Sequence, residues 1–210
     1  MTLRTYSSVT LLGVLLFLFC NQDNSNHPGS SFDPSPVSET EFIEPVPSTN
    51  ISAYADSLSQ QITLTQEVLD AIQNGLSFAP MDSTFSRSST NTDVAQKYYE
   101  MGLEAVVRGS ITTGLYCFLH AVALAPLNSE YLCKTGFGLN YLDRFEEARE
   151  FLLKAKTLDP QSHDIRANLA KTYEGLGDLK RALFEINAAL LLFPYNSFSL
   201  VYRAKLYITQ

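Results

Sequence analysis

The sequence predicts an all-α chain: a solenoid of helical hairpins that follows a flexible N-terminal tether. Three observations predict it. Pro126, Pro160 and Pro194 are separated by 34 and 34 residues, a period that corresponds to two antiparallel helices per unit. The residues around each proline recur in register over units 95–128, 129–162 and 163–196. The excess of acidic over basic residues and six of the nine prolines lie before residue 93, which separates a polar leader from a neutral, helix-forming body.

The chain opens with Arg4 and an apolar run, Val9 to Phe19, interrupted only by Thr10 and Gly13. A bilayer-spanning helix needs roughly 20 apolar residues, so residues 1–20 read as a signal peptide. Cys20 follows at once, and then the polar Asn21-Gln22-Asp23-Asn24. An apolar run that ends on a cysteine resembles a bacterial lipoprotein signal, although Phe19 is bulky where that pattern has a small residue. The resemblance implies lipidation of Cys20. Ordinary secretory cleavage and an uncleaved anchor are the alternatives.

Residues 21–51 are rich in Asn, Ser, Pro, Asp and Glu. They have too little apolar surface to offset the entropy of ordering, and read as a disordered tether. In 52–78, Leu58, Ile62, Leu64, Val68, Leu69, Ile72 and Leu76 include steps of four residues, one face of an amphipathic helix. Gly75 and Pro80 would end it. A lone helix is marginal in water, so it should dock on the first repeat, either along its outer side as a cap or in its groove. Residues 79–92 are Ser/Thr-rich and read as a linker.

Residues 93–210 carry the repeats. Two residues after each proline stand the N-cap types Asn128, Ser162 and Asn196. Twelve before are the small Gly114, Ala148 and Ala182, and five before are Ala121, Ala155 and Ala189. Eight before are the larger Phe118, Leu152 and Ile186, expected to pack between helices. Arg108-Gly109-Ser110, Leu142-Asp143-Arg144 and Gly175-Leu176-Gly177-Asp178 supply the turns. Residues 197–210 repeat the first-helix pattern once more and read as a capping helix. Their apolar Phe198, Leu200, Val201, Tyr202, Leu206 and Tyr207 would pack on the third repeat or mark a self-association surface.

This pattern resembles the tetratricopeptide-repeat (TPR) family from residue 95 to about 210. The third repeat fits best, through Leu169, Ala170, Tyr173, Gly177, Asp178 and Ala182. The resemblance implies a right-handed superhelix with a concave groove lined by the first helix of each repeat. The family's ligand-facing positions fall here on Gln96, Tyr99, Leu103, Val106 and Val107. They continue with Glu130, Cys133, Phe137, Asn140 and Tyr141, then Asp164, Ala167, Lys171, Glu174 and Gly175. Tyr99, Leu103, Val106, Phe137, Asn140, Tyr141, Lys171 and Glu174 are the candidate peptide-binding set, although some of these residues can equally be intramolecular core. Tyr99 and Leu103 stand where carboxylate-clamping members have Lys and Asn. The groove is therefore apolar at one end and mixed in charge at the other.

The net charge of −7 arises before the repeats. Residues 21–92 hold nine acidic residues and one basic residue, whereas 93–210 hold thirteen of each. No basic patch exists to attract nucleic acid. His27, His120 and His163 are scattered, with no metal-ligand spacing. Cys117 and Cys133 could pair or remain two buried thiols. Gly175-Leu176-Gly177 follows no strand, so it is no nucleotide fingerprint. Glu146, Glu147 and Glu150 read as a solvated face. No catalytic set, cofactor, metal or small-molecule substrate is expected. The expectation is a non-enzymatic scaffold that binds a protein or peptide, as a membrane-anchored lipoprotein on the periplasmic or surface side of the cell envelope. The alternative is a secretion chaperone, because three repeats after an extra helix resemble type III translocator chaperones. Those lack a signal such as residues 1–20.

Overall fold

Helix starts are set where the sequence places hydrogen-bond acceptors. Asn128 Oδ1 accepts from the backbone N–H of Glu130 and Tyr131 at 3.0 and 3.1 Å. Ser162 Oγ accepts from Ile165 N at 3.4 Å, and Asn196 Oδ1 from Ser199 N at 2.9 Å. Each satisfies donors that a helix leaves unpaired at its first turn. The computed structural model describes Glu44, residues 50–64, Gln66, Leu69, Ile72 and residues 91–209. Among these lie α1 (Ile51–Gln61), α2 (Asn91–Val107), α3 (Ile111–Leu124), α4 (Ser129–Tyr141), α5 (Phe145–Leu158), α6 (His163–Gly175), α7 (Leu179–Leu192) and α8 (Ser197–Ile208). The described residues contain no strand and no helix long and apolar enough to cross a membrane.

The turns within each hairpin also recur at 34-residue spacing. Gly109, Asp143 and Gly177 all have positive φ, at 85°, 57° and 78°. At each turn the next residue donates to a carbonyl five residues back: Ser110 to Ala105, Arg144 to Leu139, Asp178 to Tyr173, at 2.8 to 2.9 Å. This is the closure that a left-handed residue permits at a helix end. Asp143 adopts it without being glycine, as short polar side chains can.

The hairpins α2–α3, α4–α5 and α6–α7 correspond to the three repeats, with α8 the cap. Phe118, Leu152 and Ile186 are all fully buried, as are Ala121, Ala155 and Ala189. Ala148 and Ala182 have no exposure, and Gly114 is buried at the equivalent point. First helices adjoin first helices: Tyr131 OH donates to Gln96 Oε1 at 2.7 Å, and Asn140 Nδ2 to the Asn168 carbonyl at 3.0 Å. Second helices adjoin second helices through Lys156 and Glu185, 2.6 Å apart. Arg166 of α6 also reaches Glu185, at 3.3 Å, so that buried carboxylate ties α5, α6 and α7 together.

The N-terminal helix departs from expectation. It stops at Gln61, and Ile62 is extended, with φ −85° and ψ 115°. The run Ile62-Thr63-Leu64-Thr65 puts three β-branched residues in four positions, which weakens a helix. Residues 52–78 are therefore not one continuous helix. Gln66, Leu69 and Ile72 are helical beyond the break, and Ile72 is buried. α1 packs on α3, the second helix of the first repeat. Ser52 Oγ donates to the Ala123 carbonyl at 2.7 Å, and Tyr54 stacks on Phe151 of α5 with ring centroids 5.6 Å apart. Ile51, Ala55 and Leu58 are buried in this contact layer. For residues 51–61 the contact is thus on the outer side of the first repeat; most of the expected helix beyond residue 64, on which the groove alternative bore, lies outside the described residues.

The tether expectation also changes at one residue. The Glu44 carboxylate accepts from Tyr173 OH at 2.8 Å and pairs with Arg181 Nη1 at 2.7 Å. Glu44 is thus seated on the third repeat. The signal and Cys20, residues 21–43 of the tether, and the linker up to residue 90 lie outside the described residues.

Candidate functional site

The first helices α2, α4, α6 and α8 form one layer, and α1 lies on the other. The inner layer is therefore the candidate binding face. Counting along each helix places the sequence-predicted residues on this layer, but depth separates them into two groups.

Tyr99, Val106 and Asn140 belong to the packing and are corrected accordingly. Tyr99 is 5% exposed. Its hydroxyl donates to Glu130 Oε1 at 2.5 Å, and its ring stacks on Tyr131 at 4.8 Å. Burial, and then the bond to Glu130, push its pKa above the ordinary tyrosine value. Val106 is 2% exposed and lies against Gly114. Asn140 is 4% exposed; it donates to the Asn168 carbonyl and accepts from Thr172 Oγ1 at 2.9 Å. Large or polar side chains at these points lie between neighbouring helices, where they offer no surface to a ligand.

Leu103, Phe137 and Tyr141 remain at the surface of the layer. Leu103 and Phe137 are half-buried, Tyr141 is exposed, and the Phe137 and Tyr141 rings are 6.5 Å apart. Val107, one turn beyond Leu103, is also exposed. These four side chains come from α2 and α4 and make the apolar end.

Lys171 and Glu174 occupy the other end, where Glu174 is the hub of a four-residue cluster. Lys205 Nζ reaches its Oε1 at 2.7 Å, while Tyr202 OH and Lys171 Nζ reach its Oε2 at 2.7 and 3.1 Å. Burial alone would raise the Glu174 pKa. The bonds from Lys205, Tyr202 and Lys171 outweigh it and hold the carboxyl down at about 2. The cluster fastens α8 to α6. Sequence reasoning expected Tyr202 to pack on the third repeat or to mark a self-association surface but missed Lys205, yet a signal existed. Residues 197–210 repeat the first-helix pattern, so Lys205 occupies the same register position as Leu103, Phe137 and Lys171.

Cys117 and Cys133 are both buried and form no disulfide with each other. Burial pushes the Cys117 thiol up to about 12. His163 opens α6, with Nε2 2.9 Å from Ser199 Oγ of α8, a packing contact. The described residues hold no cluster of three His, Cys, Asp or Glu side chains suited to a metal ion.

Comparison with known proteins agrees with this architecture. The tetratricopeptide-repeat family model matches residues 139–162 and 163–196, and the second match coincides with the third repeat. Residues 139–196 thus match the tetratricopeptide repeat. The TPR domain of Arabidopsis OM64 is 22% identical, with a TM-score of 0.53 over 55% of this chain and 96% of that one. The first TPR domain of Spaghetti (RPAP3), solved bound to an HSP90 peptide, SRMEEVD, is 17% identical with a TM-score of 0.54, covering 57% and 95%. MamA from Desulfovibrio magneticus RS-1 is 16% identical with a TM-score of 0.54, covering 77% and 86%. At these identities the likeness is one of fold. No curated protein matches the sequence.

Proposed function

We propose that this TPR chain is a non-enzymatic adaptor that holds an apolar segment of a partner protein in its concave groove. One observation carries the reading. Val107 and Tyr141 present exposed apolar surface on the layer of first helices, beside the half-buried Phe137, whereas α1 packs on the opposite layer. An apolar groove takes an amphipathic helix or an extended segment with large side chains. The RPAP3 domain of like fold binds an acidic peptide. Here Tyr99 is buried and Leu103 is apolar, which favours an apolar ligand over a carboxylate. The adaptor is held at the cell envelope by a lipid on Cys20, a reading supported by the short apolar run ending on that residue.

Affinity capture from membranes tests both parts. The partner recovered with the intact chain is expected to be lost with Phe137→Ser/Tyr141→Ser and kept with Tyr54→Ala on the outer layer. Equal recovery with all three rejects the groove. Cys20→Ser is expected to move the protein from the membrane fraction to the soluble one. An unchanged distribution rejects the lipid, and would favour the secretion-chaperone reading.

A further inference from the structure

The seam between α1 and the first hairpin contains one polar group without a partner. His120 lies on α3, one turn before Ala123, whose carbonyl receives the Ser52 hydroxyl of α1. Its ring is stacked on Tyr98 of α2, with centroids 5.0 Å apart and planes 20° apart. Tyr116, on its own helix, meets it edge-on at 4.4 Å. The Nε2 atom is buried and makes no hydrogen bond. An imidazole held this way can be tolerated while neutral. A protonated ring would place a charged N–H in a cage of aromatic faces with no acceptor, which is far costlier.

We propose that His120 makes the docking of α1 acid-sensitive: when the imidazole takes up a proton, α1 leaves the outer face of the array. The groups facing the ring from each neighbouring element are few. α2 contributes Tyr98, α3 contributes Tyr116, with Cys117 beside both tyrosines, and α1 contributes Asp56. Asp56 alone carries charge at neutral pH, and it favours the protonated ring. Burial acts more strongly in the other direction, so the His120 pKa is lowered from its ordinary value. The sign follows. With its folded pKa below the free value of about 6.5, His120 costs nothing at neutral pH. As pH falls below about 6.5, a state with the ring exposed binds the proton and the docked state does not. Docking weakens progressively until the folded pKa is reached, and the penalty is constant below it.

α1 is the element that yields, and the array is not. α2 and α3 are joined by a closed turn and by the close approach at Gly114. α1 is eleven residues long and is connected to α2 through residues 62–90. It can undock without disturbing either helix of the hairpin, and its departure opens the ring to water. Undocking also uncovers Phe151, now beneath Tyr54. Acidification therefore exposes a second apolar surface, on the face opposite the groove.

Hydrogen exchange on the full-length chain, corrected for intrinsic rates, tests this between about pH 7.5 and about pH 5. Protection of residues 51–61 is expected to fall as pH drops below about 6.5, because the docked state binds the proton less readily than the undocked one. Helices α3 to α7 should keep theirs. His120→Phe should abolish the loss, and Asp56→Asn should deepen it by removing the favourable charge. An even loss over all helices, or the same loss in His120→Phe, overturns the proposal. Should His120→Phe fold poorly, the imidazole titration by NMR in the unaltered protein decides. A midpoint clearly below about 6.5 is expected, and one at or above it is contrary.

Discussion

Gly114→Ala sets two effects of similar size against each other, and the structure says which wins. In a helix interior, exchanging Gly for Ala is worth about 1 kcal/mol of stabilisation. A Cβ added at Gly114, however, would sit 2.6 Å from Val106 Cγ2 and 3.1 Å from the Gly102 carbonyl oxygen. Ordinary carbon contacts are about 3.5–4.0 Å, so α2 and α3 must separate by close to 1 Å or Val106 must leave its rotamer. Val106 is buried and β-branched, hence stiff. Overpacking of this kind costs roughly 1–3 kcal/mol. The net expectation is destabilisation of about 1 kcal/mol, a fall in melting temperature of about 3–6 °C for a unit of this size. The double variant Val106→Ala/Gly114→Ala should be more stable than the sum of the singles predicts, by at least about 0.5 kcal/mol. Thermal melts followed by far-ultraviolet circular dichroism read both quantities. A more stable Gly114→Ala, or strict additivity, would refute the close approach of the first hairpin.

Three further outcomes follow from the same structure. Ala182→Trp should destabilise the array by about 1–3 kcal/mol or more, because Ala182 has no exposure, whereas Arg149→Trp, less buried, should shift the melt far less. Glu174 has a depressed pKa, so its contribution to holding α8 is present above about 4.5 and lost as pH falls toward about 2; exchange in residues 197–208 should rise over that window in the intact chain and be pH-independent there in Glu174→Gln. Cys117, raised to about 12 by burial, should resist thiol reagents at neutral pH and react only on unfolding; rapid labelling of that residue in the native protein would contradict the packing of α3.

The repeats were legible because their signals are local and periodic. A proline, a side-chain cap and a small residue each act within a turn or two, and all three recur with the period. The face that α1 uses was not legible, because it depends on which apolar surface the folded array leaves open. The end of α1 at Gln61 was missed for a different reason. The steps of four from Leu64 to Leu76 suggested continuity, while the β-branched run at Ile62 to Thr65 argued for a break. The Glu44 contact was beyond reach, since a single carboxylate in a polar segment gives no sign of a partner 129 residues away. Within the groove, helical position identified the correct layer but not depth. Tyr99 and Asn140 share that layer with Phe137 and Tyr141, yet the first two are consumed by Glu130, Asn168 and Thr172.

The central claim is that partners meet the layer of first helices and not the layer that carries α1. A photoreactive amino acid placed at Tyr141, and in a separate variant at the exposed Glu146 of α5, tests it in cells. Cross-linking to a partner protein from position 141, absent from position 146 and abolished by Phe137→Ser, is the predicted result. Cross-linking from position 146 with none from position 141 would contradict the account.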